Sequence, residues 1–363
     1  GDYDIAIGFY TSALKQAEEL GDKKGIANAL NRLGIITRIV DNPNKALKLY
    51  KRARKIREEI GDKAGIGGSL CNIGIIFHIN GELDKALQYF TRSLNIFEEL
   101  GDRKSISKQL NNIGLIHRDK YNYTKSLDYF TRSNKITKEV GDNYGMGISL
   151  HNFARIYLCM GDYDKALDYY KNGLGITQEI GDKVGIGDSF QSIGYVYYEI
   201  GNYDIALEYY NQSLKVREEL TNKDGIIRSL GNIGIVYRYI GNYKMAAQHL
   251  ENAFALIKDI EYKGRKKLGY NDVVFWTKIN LYLTYKHLGK DYDVKEIHAL
   301  IKEAENIEFE LNLRLYELLE DTSYLDTAYN QVQEKADKLE PNVAAKFLSY
   351  PIPKAIVEEW EKV

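Results

Sequence analysis

Residues 61–100, GDKAGIGGSLCNIGIIFHINGELDKALQYFTRSLNIFEEL, are the unit from which the chain is built. The unit recurs every 40 residues: Gly34, Gly74, Gly114, Gly194 and Gly234 fall in phase, with Ala154 in the missing place. Twelve residues further on come Ala46, Ala86, Ser126, Ala166, Ala206 and Ala246. A fixed period of this length marks stacked supersecondary units, each unable to bury its apolar face alone.

Each unit carries two helical patterns of about 16–18 residues, read from the 3.6-residue period. The first opens at Asp22, Asp62, Asp102, Asp142, Asp182 and Asn222, residue types that cap the free N–H groups of a first turn. The glycines before the aspartates suit the left-handed turn that ends the previous helix. A second turn, at Gly81, Gly161, Gly201 and Gly241, separates the two helices of a unit.

At 363 residues the length alone would suggest two domains, but a repeat array grows in one dimension and escapes that rule. Lys plus Arg number 50 and Asp plus Glu 51, so no overall field favours nucleic acid or anionic lipid. No run of 18 apolar residues and no signal-peptide pattern occurs, and Cys71 and Cys159 imply neither a disulfide framework nor a metal site. A cytoplasmic setting fits. The chain opens in mid-repeat, which raises the expectation of a fragment.

The residues then resemble the tetratricopeptide repeat family. With Leu70 as the family's position four, the motif continues through Ile73 (seven), Gly74 (eight), Phe77 (eleven), Ala86 (twenty) and Phe90 (twenty-four). The departure is length: 40 residues in place of the commoner 34. That variant is similar to the repeats of kinesin light chains and of mitotic adaptors that bind Inscuteable-type peptides. The resemblance implies an all-α, right-handed superhelix of stacked antiparallel helix pairs. The expected order is a lone second helix over 1–20, six full units over 21–260, and an irregular seventh unit over 261–307 after a basic insertion. A degenerate repeat with capping helices fills 308–363.

On a helical wheel, positions four, seven, eight and eleven of the first helix are core, and positions two, six, nine and thirteen point away from it. In the family that second face lines a concave groove. Position six reads Arg32, Asn72, Asn112, Asn152, Ser192, Asn232 and Asn280. Asn is a poor residue for a helix interior but carries both donor and acceptor, so a file of amides suits an extended peptide backbone. A similar ladder lines the superhelix of the O-GlcNAc transferase, and Leu110-Asn111-Asn112-Ile113 resembles the Leu-Asn-Asn-Leu form of light-chain repeats. The alternative is that these amides bond neighbouring helices. Arg38, Arg118 and Arg238 at position twelve, with Arg155 close by, favour an acidic ligand. Ile35, Ile75, Leu115 and Ile235 supply an apolar floor, and Tyr195 and Tyr198 are expected to face the groove.

Other motifs dissolve in the repeat phase. Gly65-Ile66-Gly67-Gly68 has the look of a phosphate loop, but the same glycines recur at 145 and 147 and at 185 and 187, with no preceding strand. The six histidines show no metal spacing, and no nucleophile has a partnered base. The basic stretch 261–267, EYKGRKK, reads as a solvated loop.

The function expected is that of a non-enzymatic scaffold without cofactor or metal, binding a protein or peptide in the groove, away from nucleic acid and membranes. Self-association through the unmated first helix is a further expectation. The alternative belongs to another class. The closing segment resembles the C-terminal ends of bacterial proteins that join a nucleotidyl cyclase, an ATPase module and tetratricopeptide repeats. Catalysis would then lie upstream, and this chain would be a sensory arm.

Overall fold

A computed structural model describes residues 3–40, 43–262, 270–304, 307–339 and 341–363. Among them are nineteen helices and no strand. They fall into two compact units, one ending at Ile156 and the other beginning at Tyr157. The basic stretch, from residue 263 on, lies outside the described residues.

Unit 1 holds α1 (Tyr3–Glu19), α2 (Lys23–Val40), α3 (Pro43–Glu59), α4 (Lys63–Ile79), α5 (Leu83–Leu100), α6 (Arg103–Asp119), α7 (Tyr123–Glu139) and most of α8 (Asn143–Cys159). In unit 2 the repeat helices are α9 (Tyr163–Glu179), α10 (Lys183–Ile200), α11 (Tyr203–Glu219), α12 (Lys223–Tyr239) and α13 (Tyr243–Tyr262). They are followed by α14 (Tyr270–Leu288), α15 (Val294–Glu303), α16 (Phe309–Leu319), α17 (Thr322–Asp337), α18 (Pro341–Leu348) and α19 (Pro351–Trp360). Within each unit most helices adjacent in sequence pack against one another, the antiparallel-hairpin stacking expected of a helical solenoid.

The helix boundaries follow from local chemistry. Asp62 Oδ1 accepts from the Gly65 amide at 2.9 Å, and Asp22, Asp102, Asp142, Asp182 and Asn222 do the same one period apart. Such a cap contributes about 1 kcal/mol. The residue before it turns left-handed, as at Gly61 (φ 69°), so that the Asp62 amide reaches back to the Arg57 carbonyl at 2.9 Å. Thr221 (φ 50°) and Tyr121 (φ 59°) hold the same conformation without glycine.

Within each pair the core is a small residue facing a large one. A Cβ on Gly74 would stand 2.7 Å from Phe90 Cε1, and one on Gly114 2.5 Å from Phe130 Cε1. Gly34 faces Tyr50 and Gly194 faces Tyr210 in the same way. Ala46, Ala86, Ala166, Ala206 and Ala246 are fully buried. Where serine replaces alanine the hydroxyl finds a carbonyl: Ser126 Oγ donates to Gly114 O at 2.7 Å. A buried hydroxyl without such a partner would cost about 1–3 kcal/mol.

The end of unit 2 does more than extend the row. Trp360 of α19 stacks on Tyr329 of α17, ring centroids 3.9 Å apart, and its indole N–H donates to Asp326 at 2.9 Å. The same segment also reaches back to turns far earlier in the chain. Tyr350 stacks on Tyr163 at 4.2 Å and its hydroxyl donates to Gly161 O at 3.2 Å, while Lys346 pairs with Asp164 at 2.7 Å.

A candidate binding face and a partly open cavity

The position-six amides of unit 1 sit in register. Asn72 Nδ2 donates to Asn31 Oδ1 at 2.8 Å, Asn112 Nδ2 to Cys71 Sγ at 3.5 Å, and Asn152 Nδ2 to Asn111 Oδ1 at 3.4 Å. Each contact joins residues 41 apart in sequence, from one repeat's first helix to the preceding one. Asn72 and Asn112 remain half-buried, whereas Asn152 and Asn111 are buried. Each contact engages one amide hydrogen of a group that has two donors and an acceptor oxygen. The same helices carry half-buried Ile35, Ile75 and Leu115.

The cations of unit 1 are unequal. Arg118 is engaged by Asp119, Nε to Oδ1 at 2.8 Å, and the same carboxylate meets His78 Nε2 at 2.5 Å. Burial pushes the Asp119 carboxyl up, but the His78 hydrogen bond and the Arg118 charge outweigh it and hold it below its usual range. Arg38 is half-buried and Arg155 exposed. Burial, and after it the charges of Arg155 and Arg118, push the His151 imidazole down to about 4. The charges that act on His151 are positive.

In unit 2 the expected open positions are covered. Tyr198 is 5% exposed, and its hydroxyl donates to Glu310 Oε1 at 2.6 Å. Arg238 is buried, with its guanidinium 3.9 Å from Glu317, a carboxylate that Arg314 also engages. Both guanidiniums lie over the ring of Tyr239, at 4.6 and 4.8 Å. Asn280 is fully buried and donates to Trp276 O of its own helix. The expectation of an open groove at Tyr198, Arg238 and Asn280 is therefore corrected, as it is for the buried Asn111 and Asn152 of unit 1. Helix α16 lays Glu310, Arg314 and Glu317 on the faces of α10 and α12 that would have formed it. Tyr195 and Asn232 instead line a cavity of about 410 Å³, bounded by α10, α12, α14 and the start of α16.

That cavity brings together residues the sequence had not singled out. Trp276, Glu308 and Glu310 line it alongside Tyr195, Tyr198 and Arg228. Glu199, next to Tyr198, is also buried and accepts from the Tyr163 hydroxyl at 3.1 Å. Burial, and then the neighbouring Glu199 carboxylate, push the Glu310 carboxyl up to about 8. One signal was legible: position thirteen reads Ile39, Ile79, Asp119, Cys159, Glu199 and Tyr239, a column whose charged members mark special contacts. The phosphate-loop look of Gly65–Gly68 resolves into the first turns of α4, capped by Asp62.

Comparison with known proteins comes to the same fold. The family model described as Tetratricopeptide repeat matches residues 1–59, 25–99, 105–179 and 189–259. A comparison with curated proteins finds no match. Among solved structures, a Rap protein complexed with Competence and Sporulation Factor is 12% identical, with a TM-score of 0.57 and coverage of 99% of each chain. A Signal Transduction ATPase with Numerous Domains carrying a tetratricopeptide repeat sensor, from Pyrococcus horikoshii, is 19% identical with a TM-score of 0.56. It covers 90% of this chain, which spans 49% of that one. BtubC from P. vanneervenii is 17% identical with a TM-score of 0.51, covering 61% of this chain and 93% of that one. At these identities the likeness is one of fold. Among the described residues no helix is long and apolar enough to cross a membrane.

Proposed function

Because the chain belongs to the tetratricopeptide repeat family, we propose that it is a non-catalytic interaction scaffold whose unit 1 holds an extended peptide against α2, α4, α6 and α8. The observation that carries this is that Asn72 and Asn112 lie in register, each half-buried and each tied through one N–H to the preceding repeat, while Asn152 is buried in the helix-to-helix bonding that is the alternative role of these amides. One engaged N–H fixes the orientation of Asn72 and Asn112, and their remaining donor and acceptor, on half-buried side chains, serve a peptide backbone, while the buried Asn152 and Asn111 bond between neighbouring helices. Ile75 and Leu115 provide the apolar floor on which alternate side chains rest. The positive field of Arg118 and Arg155 around a neutral His151 favours acidic residues in the ligand. Panning a displayed peptide library on the immobilised chain tests this. Acidic, extended sequences that lose retention on the N72A/N112A double variant support it; recovery of the same sequences by the variant contradicts it.

A second reading makes the chain the sensing arm of a larger signalling protein. The sensor-bearing ATPase from Pyrococcus horikoshii supports it through likeness of fold over 90% of this chain. The full reading frame discriminates, since an adjoining cyclase or ATPase module favours the arm.

A further inference from the structure

We infer that the cavity between α10, α12, α14 and the start of α16 in unit 2 is a binding site for an ammonium group carried by a peptide, either a lysine side chain or a free N terminus. The walls supply the two features such a group needs. Tyr195, Tyr198 and Trp276 present aromatic surface to a partly open space, where a ring face attracts a cation by about 0.5–1 kcal/mol. Glu308 and Glu310 present carboxyl oxygens in the same space. Its volume, about 410 Å³, is in the range of small-ligand sites and accommodates an alkylammonium chain.

The hydrogen bonding of Glu310 points the same way. It is 6% exposed and accepts from the Tyr198 hydroxyl, while an ionised carboxylate has room for about four donors. The two buried guanidiniums nearby leave Glu310 short of donors: Arg314 bonds Glu317 and Arg238 lies 3.9 Å from that same carboxylate, although the Arg238 charge still acts on Glu310. Arg228 also lines the cavity, from an exposed position on α12, where it would meet the carbonyl or carboxylate end of a ligand. Burial and the adjoining Glu199 press Glu310 towards its neutral form, and an incoming ammonium would supply the charge that reverses this. An acidic ligand would meet like charge at Glu308, whereas an ammonium supplies donors and opposite charge to both carboxyls.

This site shares no residue with the proposed face of unit 1, so the two readings fail separately. The test uses the full chain and the emission of Trp276, with Trp360 replaced by Phe to remove the second indole. The probes are Nα-acetyl-lysine amide, which carries a side-chain ammonium, and alanyl-alanine amide, which carries a terminal one. Each is compared with its acetylated form, which has lost the charge. A saturable shift with either probe, weakened roughly tenfold by acetylation and by Glu310→Gln, is expected for one lost charge-assisted contact. The responding probe identifies the source of the ammonium. Glu308→Gln, at an exposed position, provides a second variant that keeps the fold, and it too should weaken binding. Equal response to charged and acetylated probes, no saturable response to either, or binding indifferent to Glu308→Gln would overturn the assignment.

Discussion

Tyr198 of α10 donates its hydroxyl hydrogen to Glu310 of α16 at 2.6 Å, joining two buried side chains 112 residues apart. The bond ties the degenerate end of the chain to the repeats of unit 2. It also explains why the faces of α10 and α12 are not open. A carboxyl taken out of water is costly unless a donor meets it, and the phenol does so.

Removing that donor should be felt throughout unit 2. Tyr198→Phe leaves the ring in place and deprives Glu310 of its hydrogen bond, a loss of about 1–3 kcal/mol. Denaturant titration should show a lower midpoint with an unchanged slope. A midpoint equal to that of the parent chain would mean the bond carries no stability.

The pH dependence has a definite sign. Glu310 has its carboxyl raised from an ordinary 4.5 to about 8 in the folded chain, so between these values the folded state binds more protons than the unfolded one. Its contribution is fully present below pH 4.5 and is lost as pH rises through about 8. Glu310→Gln should therefore show a shallower fall in stability across that window than the parent chain. Identical slopes would contradict the assignment.

In unit 1 the sign is reversed. His151 is depressed from 6.5 to about 4, so its contribution is present above pH 6.5 and is lost as pH falls through about 4. A carbon-13 NMR titration of the imidazole should find it neutral at pH 5. A midpoint near 6.5 would contradict the burial, and with it the neighbouring positive charge, placed around the ring.

The glycines divide by what they face. Gly74→Ala drives a methyl into Phe90, and overpacking of this kind costs about 1–3 kcal/mol. An added Cβ on Gly68, on the same helix, would meet nothing within 4 Å, so Gly68→Ala should stabilise by about 0.5–1 kcal/mol. Thermal melts of the two variants should move in opposite directions.

Much of this was readable from residues alone because it is local. Asp62 and Gly61 write a helix boundary within four residues, and Gly74 with Phe90 writes a core contact within one hairpin. The Glu310 contact is of another kind. Nothing in the polar segment around α16 distinguishes a glutamate that will be buried from one that stays in water. Its partner lies 112 residues away, and the repeat phase that placed Tyr198 on the inner face says nothing about what covers it. Asn72 and Asn112 fall between these cases. Periodicity placed them in file, but the Asn31 and Cys71 acceptors emerge only once the helices are stacked.

The central claim concerns where a ligand lies on unit 1. A peptide recovered by panning and carrying a photoreactive residue, cross-linked to the full chain and mapped by mass spectrometry, tests it most directly. Labelling should concentrate on α4 and α6 around Asn72, Ile75, Asn112 and Leu115. Labelling confined to the second helices, α3 and α5, would contradict it.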